Sequence, residues 1–407
     1  MVLVGARTLV TWVDLPEGTG FGIGNLPLGV FLGGGRPGFR HGVRIGDRVL
    51  DLFAVTGLPV HATGTLDPFL VAGPGAWRTL REQVTEWLTG VRHRARVEPH
   101  LLPIDEVRMC RPIGVPNYVD FYSSKAHAQN VGRLFRPDAD PLPPNWRHLP
   151  IGYHGRAGTV VVSGTPVVRP CGQLGPPTGG LPPFGPTARL DLEAEVGFVV
   201  GAPSEPGERV PVADLAEHVF GACLVNDWSA RDLQAWEYQP LGPFLGKSFQ
   251  TSMSPWVVPL AALGAARVPP PARDTELLPY LRDDGDPWGL DLALEVRING
   301  QLVSRPPFRD MYWTPAQQLA HLTVNGASTL PGELFASGTV SGTSPEEWGS
   351  LLELTANGTR PLTLADGSTR TFLEDGDTVS ITATAPGPGD SSLGFGEVSG
   401  QVLPARA

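Results

Sequence analysis

Two glutamates one residue apart, Glu193 and Glu195, stand in an alternating apolar segment that runs from Leu190 to Val200. Side chains two apart on a strand point to the same face, so the spacing predicts two carboxylates side by side. Like charges so placed repel and resist ionisation. A divalent cation bound by oxygen ligands would remove the conflict. A second apolar run, Phe220 to Val225, delivers Asn226-Asp227-Trp228, and behind it Arg231, Gln234 and Tyr238 recur at i, i+3 and i+7. That spacing puts three polar groups on one helix face. A Gly/Pro turn, Pro240 to Gly246, then hands over Lys247 in apolar surroundings. Taken alone, a Glu-x-Glu pair is most often the wet face of an edge strand, and an aspartate before a helical pattern is most often an N-cap. The carboxylates therefore need support from the rest of the chain.

Upstream, Asp120 and Tyr122 share a face if their segment is extended, and His127 follows on a helical turn. A lone histidine is more often a satisfied structural one. The nearby serines and His127 suggest a serine hydrolase, yet the nucleophile elbow G-x-S-x-G is found nowhere, and Gly389-Asp390-Ser391-Ser392 is a weak substitute. The loop Gly152-Tyr153-His154-Gly155-Arg156 sets an aromatic, an imidazole and a guanidinium between glycines, a composition suited to close backbone approach to a ligand.

The elements that must hold these groups read as a turn-rich β protein. The 51 glycines and 43 prolines fall between short apolar alternations rather than in low-complexity tracts. With 407 residues and 41% hydrophobic content, the chain has length for two or three soluble domains. A net charge of -10 without a Lys/Arg cluster argues against a nucleic acid or an anionic membrane and for a small-molecule partner. Cys110, Cys171 and Cys223 lie far apart with no C-x-x-C pair, so neither a disulfide framework nor a zinc ribbon is expected, and a reducing cytoplasm fits. Met1 to Val13 lacks the basic start and long apolar centre of an export signal, and no run is long enough to span a bilayer.

Residues 1 to about 113 read as a separate unit. Val30-Phe31 and Gly42 to Leu52, with a turn at Gly46-Asp47, suggest the strands of a small barrel or sandwich. Trp77, Leu80, Val84, Trp87 and Leu88 mark one amphipathic helix closed by Gly90, and the proline-containing stretch Val97 to Val115 reads as connector. The glycines from Gly18 to Gly24 are not a dinucleotide loop, because no strand and helix flank them. Farther on, Ala293 to Val303 is a hairpin with Asn299-Gly300 at its tip. Thr314 caps a helix with Pro315 at its first position and Gln317 completing a capping box. Glu353, between leucines, would by itself mean only an edge strand.

The strings Asp120 to Ser124, His127, Gly152 to Arg156, Asn226 to Asp232, and Pro243 to Phe249 together resemble the fumarylacetoacetate hydrolase family. Phe21 to Phe31 is similar to the opening motif of its long members and is absent from the shorter ones, so the likeness covers nearly the whole chain. The resemblance implies a mainly β fold with some α: an N-terminal SH3-like barrel with connector over residues 1–113, and a larger catalytic β-roll over 114–407. It implies an all-carboxylate set for Ca²⁺ or Mg²⁺, Asp120, Glu193, Glu195 and Asp227, with Lys247 and Thr251 around a second cation or its waters. Tyr122, Arg136, Tyr153, Gln234, Tyr238 and Thr339 would line the substrate pocket. His127 would be the general base oriented by Glu353, with Lys247 and Gln234 receiving an oxyanion and Arg231 balancing the carboxylates.

The activity implied is hydrolysis of the carbon-carbon bond of 4-fumarylacetoacetate, a diketo acid, to fumarate and acetoacetate, the last step of tyrosine and phenylalanine breakdown, in a cytoplasmic homodimer. The alternatives are an acylpyruvate hydrolase or oxaloacetate decarboxylase of the same superfamily, and a non-catalytic, metal-stabilised binding protein. Three positions depart from the family pattern: Lys125 for arginine, Gln250 for glycine and Leu28 for tyrosine.

Overall fold

Short apolar runs broken by glycine turns fold the first hundred residues into a five-stranded antiparallel sheet. Its order is Leu101–Pro103, Arg48–Asp51, Arg36–Ile45, Leu28–Gly33 and Val107–Cys110. Gly46 takes the left-handed conformation (φ 58°) that the turn between its second and third chain-order strands requires. The stretch Val97 to Val115 is therefore more than a connector, because it supplies both outer strands of the sheet. The helix Gly73–Thr89 buries Trp77, Leu80, Val84 and Leu88, as their spacing requires. This computed structural model describes residues 10–176, 179–283 and 285–406, so most of the Met1–Val13 segment weighed as an export signal lies outside the described residues. No helix among the described residues is long and apolar enough to cross a membrane.

The larger part of the chain is built on a mixed eight-stranded sheet. From one edge it runs Gly152–His154, Tyr118–Phe121, Leu334–Ala336, Ala194–Val200, Val219–Asp227, Thr251–Met253 and Val160–Val162, with Val258–Pro259 paired to Val219–Asp227 off this path. The two central strands are buried at every position, which explains their near-continuous apolar runs. A second, five-stranded sheet includes Ala293–Ile298, Thr378–Pro386 and Ser392–Leu403. Phe198, Phe335, Phe308, Leu294, Ile381 and Phe395 belong to one buried cluster shared by the two sheets. At the hairpin tip Asn299 (φ 52°) and Gly300 (φ 79°) make the primed turn expected of Asn-Gly. Thr314 and Gln317 form the capping box of helix Pro315–Thr323.

The segment Leu190 to Val200 is not one strand. Leu190–Asp191 pairs with Ser229–Ala230, Glu193 makes a bridge with Ser350, and a new strand begins at Ala194. The bend lets Asp191 and Glu193 face a different neighbour from the rest of the run. The expected edge strand around Glu353 is instead the short helix Leu351–Leu354, begun by Ser350, whose hydroxyl accepts from the Glu353 N–H.

The N-terminal unit covers the other side of the central strands. Leu28, Val43, Phe69 and Trp77 share a buried cluster with Val199, Phe220, Val225 and Met253. Leu28 and Val257 exchange backbone hydrogen bonds of 3.0 and 2.8 Å, and Asn25 donates to the Gly394 carbonyl at 2.8 Å. Gly394 N in turn donates to the Gly20 carbonyl at 2.7 Å. A side chain at Gly20 would meet Gly394 N at 2.6 Å, so glycine there serves close packing against the last strand. A cavity of about 700 Å³ lies along this seam, lined in part by Trp77, Arg81, Phe220 and Trp288, and includes none of the expected site residues.

Candidate active site

The ends of Tyr118–Phe121 and Val219–Asp227 and the start of Ala194–Val200 meet at one place, and each brings an acidic residue there. Asp120, Glu193, Glu195 and Asp227 each present an oxygen within 4.8 Å of the others, and all four are buried. The wet-edge reading of Glu193 and Glu195 is thereby excluded. Among the described residues, Asp120 Oδ1 and both carboxylate oxygens of Glu195 have no hydrogen-bond partner. Buried acceptors left without donors are costly. Burial, reinforced by Asp227, pushes the Asp120 carboxyl well above the usual range, and burial with Asp120 does the same to Glu195.

Two cations face the other side of the cluster. The Lys247 ammonium donates to Glu193 and, at 2.9 Å, to Asp227 Oδ2. Arg231 lies 2.8 Å from Glu193 Oε1 and 2.8 Å from Asp191 Oδ2. Burial would raise the Glu193 carboxyl, but Lys247 and Arg231 outweigh it and hold Glu193 below the usual range. Burial likewise opposes the Lys247 charge, but Asp227 and Glu193 prevail and keep it protonated. An ammonium has three donors and no acceptor. A protonated Lys247 thus offers these carboxylates a counter-charge.

Hard cations take oxygen ligands, and this set is all oxygen, buried and partly unpartnered, so it fits a divalent metal. Thr251 donates to Asp227 Oδ1 at 2.8 Å, and the Tyr153 hydroxyl donates to Asp227 Oδ2 at 3.2 Å. Gln250, the departure beside Thr251, points its amide at the Thr165 carbonyl, 3.5 Å away. Lys125 pairs with Asp274 at 3.2 Å, and Leu28 is buried in the seam between the two units.

The second constellation surrounds His127, on the helix Lys125–Phe135 that Ser124 caps. Its Nδ1 lies 2.8 Å from Glu353 Oε2. Glu353 also accepts from Asn130, Ser341 and Ser350, each at 2.9 Å. Burial opposes its charge, yet His127 and these donors hold its carboxyl below the usual range. Tyr122 packs edge-on against the His127 ring, with centroids 5.4 Å apart. Burial, with Glu353, raises the Tyr122 hydroxyl and keeps it neutral.

Gln234 accepts from Arg231 at 3.3 Å, on helix Arg231–Glu237. A side chain at Gly246 would meet the Gln234 backbone nitrogen at 2.8 Å, so glycine allows the Lys247 turn to lie directly on that helix. Thr339 is buried, and its hydroxyl has no partner among the described residues. Two expected pocket residues are not gathered with the carboxylates. Tyr238, the C-cap of helix Arg231–Glu237, is 47% exposed and its hydroxyl accepts from Gln239; Arg136 is exposed and donates to the Pro141 carbonyl at 2.8 Å. A cleft of about 200 Å³, lined by Tyr153, Arg156, Phe244 and Lys247, opens onto Asp227. Asp191, Asn130, Ser341 and Ser350 carry no motif of their own in the sequence, although Asp191 stands two residues before Glu193 in the same alternation.

Comparison with known proteins covers both units. The family described as "Fumarylacetoacetate (FAA) hydrolase C-terminal" matches residues 117–402, and "Fumarylacetoacetase N-terminal" matches residues 24–112. The human protein named fumarylacetoacetase is 45% identical over 417 residues, covering 97% of this chain and 99% of its own. The fumarylacetoacetase of Oryza sativa subsp. japonica is 44% identical over 428 residues, covering 98% and 99%. Among solved structures, the fumarylacetoacetate hydrolase of psychrophilic Exiguobacterium antarcticum aligns with a TM-score of 0.56 at 19% identity, covering 94% of this chain and 100% of that one. At that identity the match speaks for the fold.

Proposed function

This chain belongs to the fumarylacetoacetate hydrolase family, and on that footing we propose that it uses water to cleave 4-fumarylacetoacetate to fumarate and acetoacetate. The observation that carries the proposal is the pairing of a buried, partly unpartnered carboxylate cluster with a His127–Glu353 dyad in a chain that matches fumarylacetoacetases from end to end. Asp120, Glu193, Glu195 and Asp227 would hold the cation, Ca²⁺ or Mg²⁺, whose contribution when bound is Lewis-acid polarisation of the dicarbonyl oxygens. Thr251 would sit beside a second cation or its waters.

His127 acts as the base. With Nδ1 2.8 Å from Glu353, the tautomer assigned to this role carries its proton on Nδ1 and leaves Nε2 to take a proton from water. The water oxygen attacks the carbonyl on the fumaroyl side, and Lys247 and Gln234 receive the developing oxyanion. Collapse breaks the carbon-carbon bond, and the departing carbon takes the proton back to give acetoacetate. Arg231, fixed on Asp191 and Glu193, balances charge rather than touching the reacting carbon. Tyr122, Tyr153, Tyr238, Arg136 and Thr339 are assigned to holding the substrate, with Arg136 at its carboxylate end.

Lys247→Ala is expected to lower kcat by about 10²–10³ with a smaller effect on KM, the usual effect of losing an oxyanion donor. Steady-state kinetics at saturating metal check it, and unchanged kcat would remove Lys247 from this role.

We further assign residues 1–113 and 114–407 as the two domains, supported by the separate family matches. A homodimer is favoured by exposed Leu181, Phe184, Trp236, Leu241 and Phe244, the last beside the cleft. Three unpaired cysteines favour a reducing cytoplasm.

The test is loss of the ultraviolet absorbance of fumarylacetoacetate by purified protein, with added Mg²⁺ or Ca²⁺ and in parallel with chelator. Metal-dependent loss with fumarate and acetoacetate as products supports the reading. No loss in folded, metal-loaded protein, with turnover of acylpyruvates or oxaloacetate instead, would assign it to those reactions.

A further inference from the structure

Asp191 lies between the two constellations and is wholly buried. Its Oδ1 accepts from Leu192 N at 2.8 Å and Leu351 N at 2.7 Å, and its Oδ2 accepts from Leu352 N at 3.0 Å and Arg231 Nε at 2.8 Å. On one side, Arg231 continues to Glu193 of the carboxylate cluster. On the other, Leu351 and Leu352 open the helical turn whose next residue is Glu353, the partner of His127. Both ends of that turn are thus located by acceptors: Asp191 holds its first N–H groups, and Ser350 holds the N–H and carboxylate of Glu353.

We propose that Asp191 is a positioning residue that sets the His127–Glu353 geometry, by anchoring the Leu351–Leu354 turn to the arginine of the carboxylate cluster. The proposal rests on His127 serving as base. A carboxylate suits the place because all four groups facing it are donors. An asparagine amide would turn an NH₂ toward either Arg231 or the turn, leaving donor against donor on one side. The turn or the arginine would then have to move, and Glu353 would move with the turn.

The test is Asp191→Asn, with folding checked by thermal melting. The expected result is a fall in kcat of about 10- to 100-fold with KM nearly unchanged, the range typical when an outer partner of a reactive group is lost. In parallel, the His127 Nδ1 proton, expected downfield in NMR from its 2.8 Å approach to Glu353, should weaken or disappear, as it should in Glu353→Gln. A purely structural role would lower stability while leaving kcat per folded molecule and that proton signal unchanged, and this result overturns the proposal. If Asp191→Asn does not fold, Asp191→Glu keeps the charge but displaces the turn, and it should show the same two losses; full activity with the signal intact overturns the proposal. Should wild-type protein fail to hydrolyse fumarylacetoacetate while the signal still vanishes in Asp191→Asn, the functional reading falls and the positioning role stands.

Discussion

His127→Asn is expected to lower kcat by about 10²–10⁴, the range that a positioned general base contributes, while KM changes little. His127 is buried, so the substitution removes the proposed base without exposing new surface. Its Nδ1 lies 2.8 Å from Glu353, and Glu353 is itself fixed by three further donors. Glu353→Gln should therefore depress turnover in the same step, and the double variant should lose little more than the worse single one, because groups that act as a unit are not additive. Kinetics of the three variants at saturating metal check both statements. Normal turnover in His127→Asn would send the base role elsewhere.

The second large effect concerns metal and pH. Asp120 and Glu195 have carboxyl groups raised by burial and by their neighbours, so in metal-free protein they hold protons above the usual carboxylate range. A cation must displace those protons. Affinity should accordingly rise with pH, by as much as about tenfold per pH unit for each proton released. The sign for stability is the reverse of the usual acidic case. Groups with raised values bind more protons folded than unfolded, so metal-free protein loses stability as pH rises past the ordinary carboxylate value towards the raised ones. Bound metal removes that loss, and the gain in melting temperature on adding Mg²⁺ or Ca²⁺ should grow with pH. Calorimetry in two buffers of different protonation enthalpy counts the protons released. Affinity and melting gain that do not vary with pH would mean that the cluster is not the site.

The cluster was legible because alternation carries position: Glu193 and Glu195 sit two apart, and Asp227 ends an apolar run. What alternation could not reveal was the bend between Asp191 and Ala194, which depends on pairing with Ser229–Ala230 and on a bridge to Ser350, more than 150 residues away in sequence. Asp191 was passed over for the same reason, since its partners Leu351 and Leu352 are remote. Glu353 between leucines carries no local mark of its helical turn, and only the Ser350 hydroxyl, one turn earlier, hints at a cap. Tyr238 keeps the helical backbone that its i+7 spacing from Arg231 predicts, as C-cap of the helix, with its ring half exposed. In the N-terminal unit, prolines in Val97 to Val115 suggested a linker, yet outer strands are where a sheet tolerates proline.

The contact of Asn25 with Gly394, and of Gly394 with Gly20, spans 369 residues for the Asn25 bond. A chain made from its N-terminus has formed the strands of its first unit long before their partner exists. Until Ser392–Leu403 emerges, the Gly20–Asn25 loop has no surface to close upon, and the apolar face containing Leu28, Val43 and Trp77 waits for Phe220, Val225 and Met253. Closing such distant contacts costs loop entropy before any packing offsets it, a pattern associated with slow folding. Ser392–Leu403 thus secures a loop made 369 residues earlier, and until it emerges the early unit keeps apolar surface open to association.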